Sequence, residues 1–157
     1  METSIIKNAL TYYKSGFNCA QAVLAAFSPI YQMDEKEALR LACGFGGGAR
    51  AGELCGAVSG AVLVIGLKYG QDVREDTASK LRCYEAVTAF HAAFRSKAGN
   101  LVCKELLGAD ISTEEGMAYA QRENLFPTTC LLLVKTATEI LIAQGYANKH
   151  KGESYDL

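Results

Sequence analysis

The chain contains no tryptophan, only two prolines and only two histidines among its 157 residues. It also lacks alternating apolar and polar runs bounded by hairpin turns, which argues against a β-rich fold. The formal net charge is −1, and the basic residues are scattered. Because nucleic acids and anionic surfaces are bound by clustered Lys and Arg, no nucleic-acid partner is expected. With only His91 and His150 available as a general base, a cysteine–histidine hydrolase is also disfavoured.

The sequence also has little that would target it to a membrane. The first residues interleave polar and apolar side chains, whereas a signal peptide needs a basic start followed by an apolar stretch. The longest uncharged and strongly apolar stretch, residues 54–67, is shorter than the roughly 20 residues that span a bilayer. We therefore expect a cytoplasmic protein without membrane insertion. Its length predicts a single domain over residues 1–146, followed by a polar, flexible tail over 147–157.

Helical periodicity is abundant in this chain. Half of the residues are hydrophobic, and many recur three or four positions apart, as on one face of a helix. The pattern predicts an all-α, single-domain multi-helix bundle. Its helices are expected at residues 6–17, at 19–27 after the cap Asn18, after the cap Asp34, from Asp72 to about Lys97, after Asn100, after Ser112 or Thr113, and from Pro127 to Gly145.

A glycine-rich loop precedes the most apolar predicted helix. Residues 44–52 read GFGGGARAG, through which a helix cannot comfortably continue. The following helix has no polar face and is therefore predicted to be central. Gly56 and Gly60 lie one turn apart beside Ala57, so one stripe of this helix lacks bulk. Another helix or a prosthetic group could approach its backbone closely there.

Six cysteines are present, but none form a CxxC pair, so the local zinc and thioredoxin signatures are absent. Four lie at predicted helix N-termini, where unpaired N–H groups stabilise a thiolate and lower its pKa. Buried cysteine can also act as a small apolar residue, and this alternative stays open. We interpret Cys43 and Cys83 in that way, as core residues at helical spacing. The four candidate site residues are Cys19, Cys55, Cys103 and Cys130.

Five segments in order resemble a family of small bacterial and archaeal proteins described as redox-active. They read FNCAQAVL, GFGGG, CGAVSG, CKELLG and CLLLVKTATEIL, and the family is known by a cysteine pattern containing CGAxxG. The resemblance extends from about Thr3 to Gly145 and places the pattern cysteines on the same four residues. The apolar Leu131–Leu133 departs from the more polar sequence that family members tend to carry there. A related domain in certain haem proteins is thought to hold an iron–sulfur cluster, which implies a similar cofactor here.

Three hypotheses follow. The first is a four-cysteine site that binds an iron–sulfur cluster, or another metal, for electron transfer or redox sensing, because four thiolates suit either. The second is a metal-free thiol/disulfide protein. The third is a structural or partner-binding helical module with buried cysteines, whose terminal helices could form a homodimer face. The redox partner and any catalysed reaction stay unassigned. The residues expected to support the site are Gly46, Gly47, Gly48, Gly56, Ala57 and Gly60.

Overall fold

The computed structural model describes residues 1–148, so most of the predicted tail, from residue 149 onward, lies outside the described residues. Within residues 1–148 the chain is helical, and its only β-type pairing is an isolated bridge between Leu54 and Val102. The predicted all-α class is therefore confirmed. The α-helices are α1 Glu2–Lys14, α2 Cys19–Phe27, α3 Glu35–Ala42, α4 Gly56–Tyr69, α5 Thr77–Ala98, α6 Cys103–Leu107, α7 Glu114–Arg122 and α8 Leu131–Ala143.

Helices α2 and α4 form the centre of the bundle. Every residue of α2 after Cys19 is buried, and α4 packs against α2, α5 and α8. Gly60 is where α2 comes closest, because a Cβ added there would lie 2.8 Å from the carbonyl oxygen of Ala20 and 3.0 Å from the Cβ of Val23. The predicted central apolar helix is thus confirmed. The stripe of small residues on α4 packs against α2.

Most predicted helix starts match the structure because their caps form. The Asn18 side chain accepts a hydrogen bond from the Gln21 N–H, and the Gln21 side chain accepts one from the Asn18 N–H, which completes a capping box. Asp34 caps α3, and Thr113 caps α7. These side-chain acceptors satisfy first-turn amides that have no partner within the helix. They fix where the chain enters each helix.

The first helix lies earlier than the predicted residues 6–17, since α1 runs from Glu2 to Lys14, and two predicted caps were wrong. Helix α5 begins at Thr77 and not near Asp72, because the Asp76 carboxylate accepts a hydrogen bond from the Ser79 N–H and acts as the cap. Asn100 does not cap α6 directly. Its side chain accepts hydrogen bonds from the N–H groups of the next two residues, and α6 starts only at Cys103. In both cases a polar side chain closes a turn before the helix begins.

A π-helical turn, Phe126–Cys130, leads directly into α8. Among the described residues, Phe126–Ala143 is the one segment long and apolar enough to cross a membrane, and 39% of it is buried inside the fold. This segment contains Lys135 and Glu139, so it is not an uncharged stretch like residues 54–67. Helix α8 packs against α1, α2, α4 and α5. Core helices of globular proteins satisfy the same criteria of length and composition.

Candidate functional site

A cavity of about 550 Å³ lies where the main core meets a smaller apolar cluster. The four cysteines at predicted helix starts, which come from four different parts of the chain, all line it. The remaining wall is mainly apolar and includes Ile111, Met117 and Phe126. Exposed Lys14 and Arg50 also line the cavity, so it reaches the protein surface. The lining cysteines are Cys19, Cys55, Cys103 and Cys130.

The isolated β-bridge fixes the backbone positions of Cys55 and Cys103. The Cys55 N–H donates a hydrogen bond to the carbonyl oxygen of Leu101 at 2.8 Å, and the Cys103 N–H donates to that of Glu53 at 2.6 Å. Two segments far apart in sequence therefore run antiparallel just before α4 and α6 begin. Because both amides are used in the bridge, neither is a free donor for an anion in the cavity.

The glycine-rich loop forms a left-handed turn against this bridge. Gly47, Gly48, Ala49 and Arg50 have φ values of 67°, 66°, 55° and 60°. Gly48 is required sterically, since an added Cβ would overlap the Glu53 amide and lie 3.0 Å from the Cβ of Cys103. Ala49 and Arg50 carry a Cβ in this region, which costs about 1–2 kcal/mol per residue. The strain is local to the cavity wall.

Cys19 and Cys130 both line the cavity, and hydrogen bonding between their thiols is the main influence on the pKa of each. The bond from the Cys19 thiol lowers the pKa of Cys130, whereas the same bond and burial raise the pKa of Cys19 well above its usual range. The Cys19 thiol therefore favours the ionised form of Cys130. The Cys130 N–H donates to the carbonyl oxygen of Leu125 at 3.0 Å. The low pKa thus comes from the partner thiol and not from a free helix-terminal amide.

Tyr13 supports the ionised form of Cys130. Its hydroxyl donates a hydrogen bond to the carbonyl oxygen of Phe126 at 2.8 Å, and its hydrogen bonding to the Cys130 sulfur also lowers the pKa of that thiol. A hydroxyl has a single proton, so it can turn from the carbonyl towards the sulfur when the thiolate forms. Burial and the neighbouring thiols raise the pKa of Tyr13 itself. It therefore stays a donor.

The other two cavity cysteines are held in the protonated form. Burial raises the pKa of Cys55 to about 11, although hydrogen bonds from the N–H groups of Ala57 and Val58 favour its thiolate. Burial also raises the pKa of Cys103 to about 12, against the opposing effect of the Arg50 guanidinium. The expectation that helix N-termini would lower the thiol pKa values was therefore wrong for three of the four cysteines. Loss of hydration outweighs the helix-terminal amides.

The six predicted supporting residues lie in and behind the cavity wall. Gly46, Gly47 and Gly56 line it. A Cβ at Gly56 would lie 3.2 Å from both the Cys19 Cβ and the Phe45 carbonyl oxygen, so this glycine lets Cys19 sit directly on the start of α4. Gly48 backs Cys103, while Ala57 is buried in the core and Gly60 receives α2.

The two cysteines left out of the predicted site do not line the cavity. Cys83 is partly buried on α5 and packs against the main core, as expected. Cys43 is exposed, so its interpretation as a core residue was wrong. Helix α3 ends at Ala42, and the following 3₁₀ turn carries Cys43 away from the core. His91 lies on α5, away from the cavity, and its Nε2 is buried without a hydrogen-bond partner among the described residues.

Several cavity residues were not predicted from the sequence. Neither Tyr13 nor Arg50 was among the candidate site residues. Lys14, Met117 and Phe126 carried no motif at all. The useful signal for Tyr13 would have been the apolar stripe of α1, which points its hydroxyl towards the segment that begins α8.

Within residues 1–148, no group of three or more His, Cys, Asp or Glu side chains is arranged to hold a metal ion. The four cysteines thus surround a shared cavity without converging on one point. For a single tetrahedral metal ion, with Zn–S bonds of about 2.3 Å, the thiols would have to come closer together. A bulkier group that bridges the cavity would need the side chains to turn towards it.

A family model described as "Putative redox-active protein (C_GCAxxG_C_C)" matches residues 17–143. The chain belongs to this family. The match includes α2, the glycine loop, the bridge and α8, and thus every cysteine of the cavity. The C_GCAxxG_C_C name places glycine before cysteine, whereas this chain reads Cys55-Gly56-Ala57. No curated protein and no solved structure matches the chain significantly.

Proposed function

We propose that this C_GCAxxG_C_C protein is a thiol-based redox protein in which Cys19 and Cys130 cycle between dithiol and disulfide. The observation that carries the proposal is that both thiols line one cavity and shift each other's pKa in opposite directions. A pair of this kind has one sulfur ready to attack and a second within reach to complete the disulfide.

The chemistry balances with an external disulfide as oxidant. The Cys130 thiolate attacks one sulfur of the acceptor, forms a mixed disulfide and releases the other sulfur as a thiolate. Cys19 then loses its proton to the released thiolate and attacks the Cys130 sulfur. The Cys19–Cys130 disulfide forms, the second acceptor thiolate leaves, and two electrons have passed to the acceptor. Cys55 and Cys103 stay protonated, because burial disfavours their thiolates.

The test is disulfide mapping after equilibration in anaerobic glutathione buffers of graded redox poise, with acid quenching and alkylation. We expect a Cys19–Cys130 disulfide that appears at one poise and survives Cys43→Ser and Cys83→Ser. In Cys19→Ser, a mixed disulfide of glutathione with Cys130 should accumulate, whereas Cys130→Ser should trap little. A protein that stays fully reduced at oxidising poise, or that pairs other cysteines, would contradict the proposal.

An iron–sulfur cluster is the second candidate. The observation that favours it is the convergence of four cysteines on one cavity of about 550 Å³; cluster ligation by four thiolates would supply electron transfer. Cys19, Cys55, Cys103 and Cys130 would be its ligands after rotation of their side chains. Anaerobic purification followed by an ultraviolet–visible spectrum, with iron and acid-labile sulfide analysis, tests this. Iron and sulfide in matching amounts would favour the cluster, and their absence after reconstitution would leave the dithiol.

We also assign the protein to the cytoplasm. All six cysteines are free thiols, and a reducing compartment is where free thiols persist. The electron partner would be another thiol/disulfide couple. Fractionation of cells that express the tagged chain would test this location, and recovery in a membrane or extracellular fraction would contradict it.

A further inference from the structure

The volume and the lining of the cavity that contains Cys19 and Cys130 indicate what kind of substrate it binds. Its volume of about 550 Å³ falls within the range of roughly 300–1,000 Å³ that is typical of small-molecule sites. Much of its wall is aliphatic or aromatic. This space greatly exceeds what a peroxide needs. It suits an organic molecule with an apolar body that lies against Phe17, Ile111 and Phe126.

Of the Lys, Arg, Asp and Glu side chains within residues 1–148, only cationic ones line the cavity. Lys14 and Arg50 line it, and among the described residues no Asp or Glu does. Asp110 is close enough to influence Cys103, but its carboxylate accepts hydrogen bonds from the N–H and hydroxyl of Ser112 and does not line the cavity. The cavity lining therefore carries two cationic side chains and no carboxylate beside an apolar interior.

Arg50 is held at the cavity at a conformational cost. Its backbone and that of Ala49 adopt left-handed conformations that disfavour both residues. Its guanidinium lies over Gly47, since a Cβ added to Gly47 would lie 2.6 Å from Arg50 Nη1. Within residues 1–148 Arg50 has no ion-pair partner, yet its charge acts on the Cys103 thiol. A strained residue that delivers an unpaired cation to a cavity fits a role in binding.

We infer that the cavity binds a small organic disulfide with an apolar body and a negatively charged group, and that Arg50 selects for the negative charge. The inference rests on the proposed dithiol function of Cys19 and Cys130 and names its oxidant. The disulfide bond of this substrate lies against Cys130, while its carboxylate or equivalent group faces the guanidinium. Reduction yields two organic thiols and the Cys19–Cys130 disulfide.

The probes are two aromatic disulfides of opposite character: 5,5′-dithiobis(2-nitrobenzoate), a dianion, and the neutral 4,4′-dithiodipyridine. Their reaction rates are measured on the full chain carrying Cys43→Ser and Cys83→Ser, so that the thiols outside the cavity do not contribute. The two reagents differ in intrinsic reactivity. The informative quantity is therefore the change that each variant causes with each reagent.

The decisive comparison uses Arg50→Gly and Ala49→Gly. Both variants remove the Cβ of a residue whose backbone is in the left-handed conformation, but only Arg50→Gly also removes the guanidinium. Arg50→Gly should slow the dianionic reagent by about five- to tenfold, because loss of one partly screened attraction has about this effect, and should slow the neutral reagent much less. Ala49→Gly should change neither rate. Arg50→Lys should restore part of the rate, and added salt should reduce the advantage of the dianion in the wild type.

Failure of the inference differs from failure of the proposed function. If both reagents produce the Cys19–Cys130 disulfide at rates that change neither with the Arg50 variants nor with salt, the assigned substrate charge is wrong and the dithiol function stands. If neither reagent produces that disulfide, the dithiol function fails and the inference fails with it. If Arg50→Gly slows both reagents equally, Arg50 shapes the cavity and does not select charge, which also overturns the inference.

Discussion

Replacement of Gly60 by alanine tests how closely α2 and α4 must approach. The added methyl group would lie 2.8 Å from the Ala20 carbonyl oxygen and 3.1 Å from its Cα, and these are backbone atoms of a buried helix. Overpacking of this kind costs about 1–3 kcal/mol, and obstruction by backbone places the cost in the upper half of that range. Alanine recovers about 1 kcal/mol of helix propensity. The net loss should be about 1–2 kcal/mol.

Gly66 provides a matched control on the same helix. A Cβ added there meets no atom within 4 Å, so Gly66→Ala gains helix propensity without a clash and should stabilise the protein by about 0.5–1 kcal/mol. For a chain of this size, 1 kcal/mol corresponds to about 2–4 °C in the midpoint of thermal unfolding. Gly60→Ala should therefore unfold about 2–8 °C below the wild type, and Gly66→Ala about 1–4 °C above it.

The assay is thermal unfolding of the reduced protein followed by circular dichroism, with urea unfolding for the free energies. A Gly60→Ala variant as stable as Gly66→Ala would refute the close approach of α2 to α4. A second readout links this packing to the site. Ala20 follows Cys19 directly, so displacement of α2 in Gly60→Ala should also slow formation of the Cys19–Cys130 disulfide, whereas Gly66→Ala should not.

Three further predictions concern the cavity. Tyr13→Phe should raise the pKa of Cys130 through loss of a hydrogen bond to the thiolate; the pH dependence of iodoacetamide alkylation measures this, and Tyr12→Phe, beside it in sequence, should have no effect. The free energy of unfolding should fall above about pH 8.5. Above this pH the thiols of the unfolded chain ionise, whereas burial keeps the Cys55 thiol of the folded protein protonated to about pH 11. A thiol pKa that is higher in the folded than in the unfolded protein stabilises the fold at pH values below the unfolded-state pKa. This stabilisation is lost as the pH rises through the folded-state pKa. In urea unfolding at a series of pH values, the free energy of unfolding should therefore fall less steeply with pH for Cys55→Ala. Ala49→Gly should stabilise the protein by about 1 kcal/mol by relieving its left-handed strain, and an unchanged urea midpoint would count against that strain.

The fold was largely predictable because its signals are local. Asn18, Asp34 and Thr113 cap helices as their residue types predict, since each needs only a nearby amide. The start of α5 was missed because both Asp72 and Asp76 suit a cap, and only the tertiary path of the chain selects the second. The all-α class itself follows from helical periodicity and from the absence of alternating runs bounded by hairpin turns.

The candidate site was predictable only in part, because its chemistry depends on burial. The sequence identified the four cysteines that line the cavity, but it could not show that Cys19 and Cys130 would pair. It also indicated lowered pKa values for all of them, since it showed helix termini but not the loss of hydration. Arg50 was missed for a related reason. Its path to the cavity depends on a left-handed turn at Ala49 that residue type alone disfavours.

Because most of the cavity thiols are buried and protonated, one thiol reacts before the others. With Cys55 protonated up to about pH 11 and Cys103 to about pH 12, neither competes as a nucleophile near neutrality. Cys130 is the exception because a thiol and a tyrosine hydroxyl stabilise its charge. The same hydrogen bond that activates Cys130 holds Cys19 ready as the resolving thiol. Loss of Cys19 should therefore have two effects, a higher pKa at Cys130 and no disulfide, whereas loss of Cys55 should have neither.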